Sequence, residues 1–76
     1  MTKEYINLLE KAEDNYREMY QHLENAMKGH RDERSEVMYE QVRKADKHRA
    51  TLEGIAKRLN TTFADLMSAV EARMNR

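Results

Sequence analysis

Apolar side chains recur at Tyr5, Leu9, Ala12, Tyr16, Met19, Leu23 and Ala26, separated by alternating gaps of four and three residues. Such spacing keeps one face of a helix apolar, and held over several repeats it makes a seam for lengthwise pairing with another helix. It predicts a helix over 2–28. Lys28 suits the negative end of the helix dipole, and Gly29 is expected to end the helix in a left-handed conformation. The segment GHRDERS then turns the chain, with Asp32 or Ser35 as the next N-cap.

The rhythm resumes at Ser35, Met38, Val42, Ala45, Arg49, Leu52, Ala56 and Leu59, which predicts a second helix over 32–59. Folding the chain back at His30 and Arg31 sets Leu23 opposite Met38, Met19 opposite Val42 and Tyr16 opposite Ala45. The same register pairs Leu9 with Leu52 and Tyr5 with Ala56. Large residues often meet small ones across it, as interdigitating layers require. One layer departs from this, because Ala12 faces Arg49. A guanidinium is not stable alone in a dry seam, so Arg49 is expected to lay its stem over Ala12 and send its head to solvent or to Glu13.

A third helix is predicted over 62–75. Thr62 followed by Asp65 resembles a capping box, and Phe63, Leu66, Met67, Val70 and Met74 form one apolar stripe. So short a helix covers one end of the hairpin, near Ile6, Leu8 and Ile55. Tyr20, Met27 and Tyr39, toward the turn, are left without cover. The fold class expected is therefore all-α: an antiparallel, coiled-coil-like helical hairpin plus a short third helix, in one domain spanning 1–76. Because a lone hairpin of this size buries little, assembly as a helical-bundle homodimer is expected.

Composition narrows the chemistry. The 76 residues include no proline, no cysteine and only two glycines, and 37% are charged, which is the vocabulary of long surface helices. Without cysteine there are no disulfides and no thiolate metal sites, and a reducing, cytoplasmic location is expected. No apolar run approaches the roughly 20 residues that span a bilayer, and MTKEYINLLEKAEDN has no signal-like apolar segment, so no membrane association is expected. Fourteen basic residues balance fourteen acidic ones, which leaves no global field to attract nucleic acid or anionic lipid. Acid-before-base pairs four residues apart, Glu13–Arg17, Glu24–Lys28, Glu40–Lys44 and Glu53–Lys57, are expected to brace the helices.

The stretch LEGIAKRLNTTFADLM, residues 52–67, resembles the helix-turn-helix of Cro- and repressor-like regulators. Ile55 and Ala56 stand in the first helix of that pattern, Leu59 and Asn60 at its turn, and Leu66 and Ala69 on the inward side of the next helix. It is equally similar to the scaffold helices that follow the recognition helix in those domains. Base reading requires Arg, Lys, Asn or Gln in the first turns of the second helix. Thr61, Thr62, Ala64, Asp65 and Ser68 stand there instead, so the bend is read as a packing corner.

Other chemistry is sparse. The cluster Arg43, Lys44, Lys47, His48 and Arg49 could form a positive stripe for nucleic-acid backbone contact, or a solvated face with local ion pairs. His22, His30 and His48 have no helical metal-ligand spacing, so no metal or other cofactor is expected. Ser35 and the threonines read as caps, no nucleophile–histidine–acid set is implied and no glycine-rich phosphate loop occurs, so neither enzymatic activity nor a small-molecule substrate is expected. Tyr20, Met27, Met38 and Tyr39 gather near the hairpin tip, and Tyr and Met are frequent in interfaces. The reading that results is a small helical regulator, adapter or inhibitor, of bacterial, phage or plasmid type in its compactness. It works through protein–protein contact, with a nucleic-acid accessory role on the basic stripe as the alternative.

Overall fold

A computed structural model describes residues 2–29 and 35–75 as three helices, with no strand among them. They are α1 (Lys3–Gly29), α2 (Ser35–Arg58) and α3 (Phe63–Met74). The turn and the Asp32 cap expected over residues 30–34 lie outside the described residues, as does the side chain of Ser35. Gly29 is the last residue of α1 rather than a left-handed residue beyond it, and no described glycine has positive φ.

Helix α1 packs mainly against α2, antiparallel. Glu4 meets Arg58 near the open end, Asn15 meets His48 midway, and His22 meets Gln41 toward the tip. Each pair lies within two residues of the register that sets Tyr5 opposite Ala56 and Leu23 opposite Met38. Buried at the seam are Leu9, Ala12 and Met19 from α1 and Ala45, Leu52 and Ala56 from α2. Alanine in three of these six places lets the helix backbones approach closely, while Leu9, Met19 and Leu52 fill the intervening layers.

Two seam assignments need correction. Tyr5 and Val42 are both exposed. Tyr5 stands in the first turn of α1, where the seam ends. Val42 stands beside Ala45 and near Ala26, whose small side chains leave space rather than cover.

Helix α2 ends in a pair of hydrogen bonds closing back on its last turn. The Asn60 N–H donates to the Lys57 carbonyl at 3.1 Å, and the Thr61 N–H reaches the Ala56 carbonyl at 2.9 Å. This is the Schellman arrangement, which needs a left-handed residue just after the helix, and Asn60 supplies it with φ 57°. Two residues later Thr62 caps α3, its hydroxyl accepting from the Asp65 N–H at 3.1 Å. The stretch 59–62 is thus a packing corner, as its chemistry implies. It lays Leu66 and Val70 into the core with Ile55. Leu8 also packs there, but Ile6, expected beneath α3, is exposed.

Leu52 is fully buried. Its replacement by Ala should cost about 2–5 kcal/mol in urea unfolding. Asn60→Gly should be nearly neutral. Asn60→Val, which places a branched side chain at positive φ, should cost about 1–2 kcal/mol by the same measurement.

Candidate functional site: the hairpin tip and its flanks

Twelve residues of α3 span about 18 Å, less than half the length of the hairpin they lie against. Its far end is clamped to the middle of α1. The Arg73 Nε donates to Glu13 Oε2 at 2.6 Å, with the Glu13 side chain only 17% exposed. The Tyr16 hydroxyl donates to Glu71 Oε2 at 2.8 Å. Desolvation of the phenol, followed by its hydrogen bond to Glu71 and that carboxylate's charge, pushes the Tyr16 pKa up to about 12.

Beyond this clamp, the stripe of α1 that carries Glu13 and Tyr16 continues through Tyr20, Leu23 and Met27 at helical spacing, with no α3 alongside. Tyr20 tilts against Tyr16, ring centroids 4.8 Å apart. Between α1 and α2 lies an open apolar groove of about 470 Å³, lined by Leu23, Ala26, Met27, Met38 and Val42. A narrower furrow of about 130 Å³ shares Leu23 and Val42 with it and runs on past Met19 and Ala45 to Asp46 and Arg49.

Of the four residues expected to form an interface, Met27 and Met38 meet in this groove. Tyr20 and Tyr39 are exposed but do not line it. The sequence reading missed Leu23, Ala26 and Val42 as groove residues because all three occupy seam positions. A signal was present: α3 is too short to reach them, and Ala26 and Ala45 are too small to fill the seam themselves.

The basic stripe of α2 is partly neutralised. Arg43 Nη1 lies 3.1 Å from Glu40, and Arg49 meets Asp46 at 2.8 Å and Glu53 at 2.7 Å. The hydrogen bond to Asp46, then the charges of Asp46 and Glu53, raise the Arg49 pKa above its ordinary value. Arg49 thus sends its head along its own helix. Glu13 is taken by Arg73 instead of Arg17, and Arg17 turns toward Asp14 at 3.6 Å. Of the expected braces Glu24–Lys28 forms, at 3.2 Å. Lys44 and Lys47 are the two stripe cations without a carboxylate partner among the described residues.

On the opposite flank, His22 and His48 stack with centroids 5.8 Å apart and rings 15° from parallel. Both are half-buried. The Asn15 amide donates to the Lys11 carbonyl, which turns its oxygen toward His48, so His48 donates through Nδ1 at 2.8 Å. His22 Nδ1 donates likewise to the Gln41 oxygen at 2.9 Å. This polar ladder ties the two helices in register. His30 lies outside the described residues. No group of three or more His, Cys, Asp or Glu among the described residues is placed to hold a metal ion. No described helix is long and apolar enough to cross a membrane.

Comparison with known proteins places no family beside this geometry: no family model, no curated protein and no solved structure matches the chain.

Two outcomes test the clamp. A raised phenol pKa means the folded state keeps a proton that the unfolded chain loses near pH 10, so this contribution is full below pH 10 and fades as pH rises toward 12. Thermal melts should show a shallower alkaline loss of stability between those pH values in Tyr16→Phe than in the unaltered chain. Arg73→Ala should cost about 1–2 kcal/mol and speed amide exchange in α3 more than in α1.

Proposed function

We propose that this chain is a small non-enzymatic interaction protein that works through protein–protein contact at the hairpin tip, as a regulator, adapter or inhibitor in the cytoplasm. The observation that carries this reading is the uneven distribution of apolar surface. At the open end Leu66 and Val70 of α3 complete a buried core, whereas Tyr20, Met27, Tyr39 and Val42 are exposed at 49%, 74%, 61% and 43% around the tip groove. Single exposed hydrophobic residues are ordinary, but several of them at one end of the molecule, two on the wall of a concave apolar surface, support an interaction site. The groove offers shape and apolar area rather than hydrogen-bonding groups, so it suits the apolar face of a helix.

A second reading uses Lys44, Lys47 and Arg43 to contact nucleic-acid backbone. It is supported by the two lysines, which have no carboxylate partner among the described residues. The ion pairs that occupy Arg43 and Arg49 weigh against it, since a phosphate would have to displace them.

Capture from native lysate, with and without nuclease, separates the readings. A discrete protein that survives nuclease, and whose recovery falls roughly tenfold or more with Met27→Gln and Tyr39→Ser, supports contact at the tip; a tenfold loss corresponds to about 1.4 kcal/mol. Material lost on nuclease treatment, and lost again with Arg43→Glu and Lys47→Glu, establishes the second reading in its place.

A further inference from the structure

We infer that the occupant of the tip groove is a second copy of this chain, which packs with α1 of each copy against α2 of the other to make a symmetric four-helix core. The inference rests on the reading of the tip as a protein-contact surface and names what contacts it.

Area is the first support. With a fully exposed aromatic side chain taken as roughly 200 Å², Tyr20, Met27, Tyr39 and Val42 present roughly 400 Å² of mostly apolar surface. Two copies meeting there cover roughly 800 Å² before any charged residue at the rim contributes, against about 1,200 Å² for the smaller specific interfaces. The apolar centre of a small dimer is therefore already present on each copy.

Shape is the second. Met27 is the most exposed of these residues and stands on the wall of the groove, while Ala26 beside it is small and buried. A projecting methionine next to a hollow floored by alanine is a knob beside a hole. A two-fold axis near the groove sets each knob over the other copy's hole, which is the self-complementarity an isologous interface demands.

Charge is the third. Helix α1 carries six acidic and four basic side chains, and α2 carries four acidic and six basic. Taken over their whole lengths the two helices thus carry unlike net charges, whereas two copies of α1 share one sign, so the α1-to-α2 pairing is the one that overall charge favours. The chain as a whole has net charge zero, so no general repulsion opposes association.

The test is the mass of the intact protein in solution across a concentration series, by sedimentation equilibrium, for the unaltered chain and Val42→Glu, with helicity followed by circular dichroism. A dimer is expected, and Val42→Glu should shift it to monomer at unchanged helicity, weakening association at least tenfold. Should Val42→Glu lose helicity, Met27→Lys, at the most solvent-exposed position, gives the same comparison. Because the chain has no cysteine, a mixture of Met27→Cys and Met38→Cys chains can be oxidised without background. The mixed disulfide should form in excess over disulfides between two Met38→Cys chains. A monomer at every concentration overturns the inference, and so does a dimer that neither variant weakens. If the monomer still captures a foreign protein and Val42→Glu abolishes that capture, the second copy is excluded while contact at the tip stands. If the variants affect neither mass nor capture, both readings fall.

Discussion

Close approach of α1 and α2 is the constraint on which the rest of this structure depends. Ala12, Ala45 and Ala56 are buried between the two helices, and only small side chains allow backbones that near each other. Leu9, Met19 and Leu52 then fill the layers, each fully buried aliphatic side chain contributing about 1.5–3 kcal/mol. The polar flank follows from the same separation. Asn15 can reach His48, and His22 can reach Gln41, because the helices are close and held in one register. A shift of one turn would part both pairs and set alanine against alanine in the core.

The third helix completes what the seam begins, but only at one end. Its position is set by a corner with little freedom, in which Asn60 takes the left-handed conformation and Thr62 caps the next helix two residues later. From there α3 reaches as far as Glu13 and Tyr16, where a half-buried ion pair and a phenol–carboxylate bond hold it. The length of α3 thus decides which part of the hairpin is covered and which presents apolar side chains outward. Site and scaffold have one cause.

Much of this was legible in the sequence because helical periodicity is a local signal. Most seam positions, the register to within two residues and the Thr62 cap follow from spacing and side-chain type. What escaped required knowledge of neighbours in space. Nothing in the pattern around Val42 distinguishes it from Ala45, since both occupy seam positions; their exposure differs because α3 does not extend to the tip. Ion-pair partners were misassigned for a related reason. Glu13 and Arg17 suit each other along one helix, yet Arg73, sixty residues away, offers Glu13 a shorter bond in a more enclosed place. The spacing of the histidines along the chain says nothing of the stacking of His22 on His48, which depends on the antiparallel partner. The Asn60 conformation was hidden too, because asparagine tolerates positive φ without announcing it as glycine does.

The half-covered hairpin also implies a gradient of local stability. Opening the chain near Leu52, Ile55 and Val70 breaks the whole buried cluster, so amides there exchange only when most of the protein unfolds. Around Leu23, Ala26, Met38 and Val42 fewer buried contacts are lost, and opening costs correspondingly less. Anything that seats itself on the tip must be released before that region opens, so binding there raises the cost of local opening where it is lowest. The folding stability of the protein then rises with the concentration of whatever binds. Local opening and release at this end become one equilibrium.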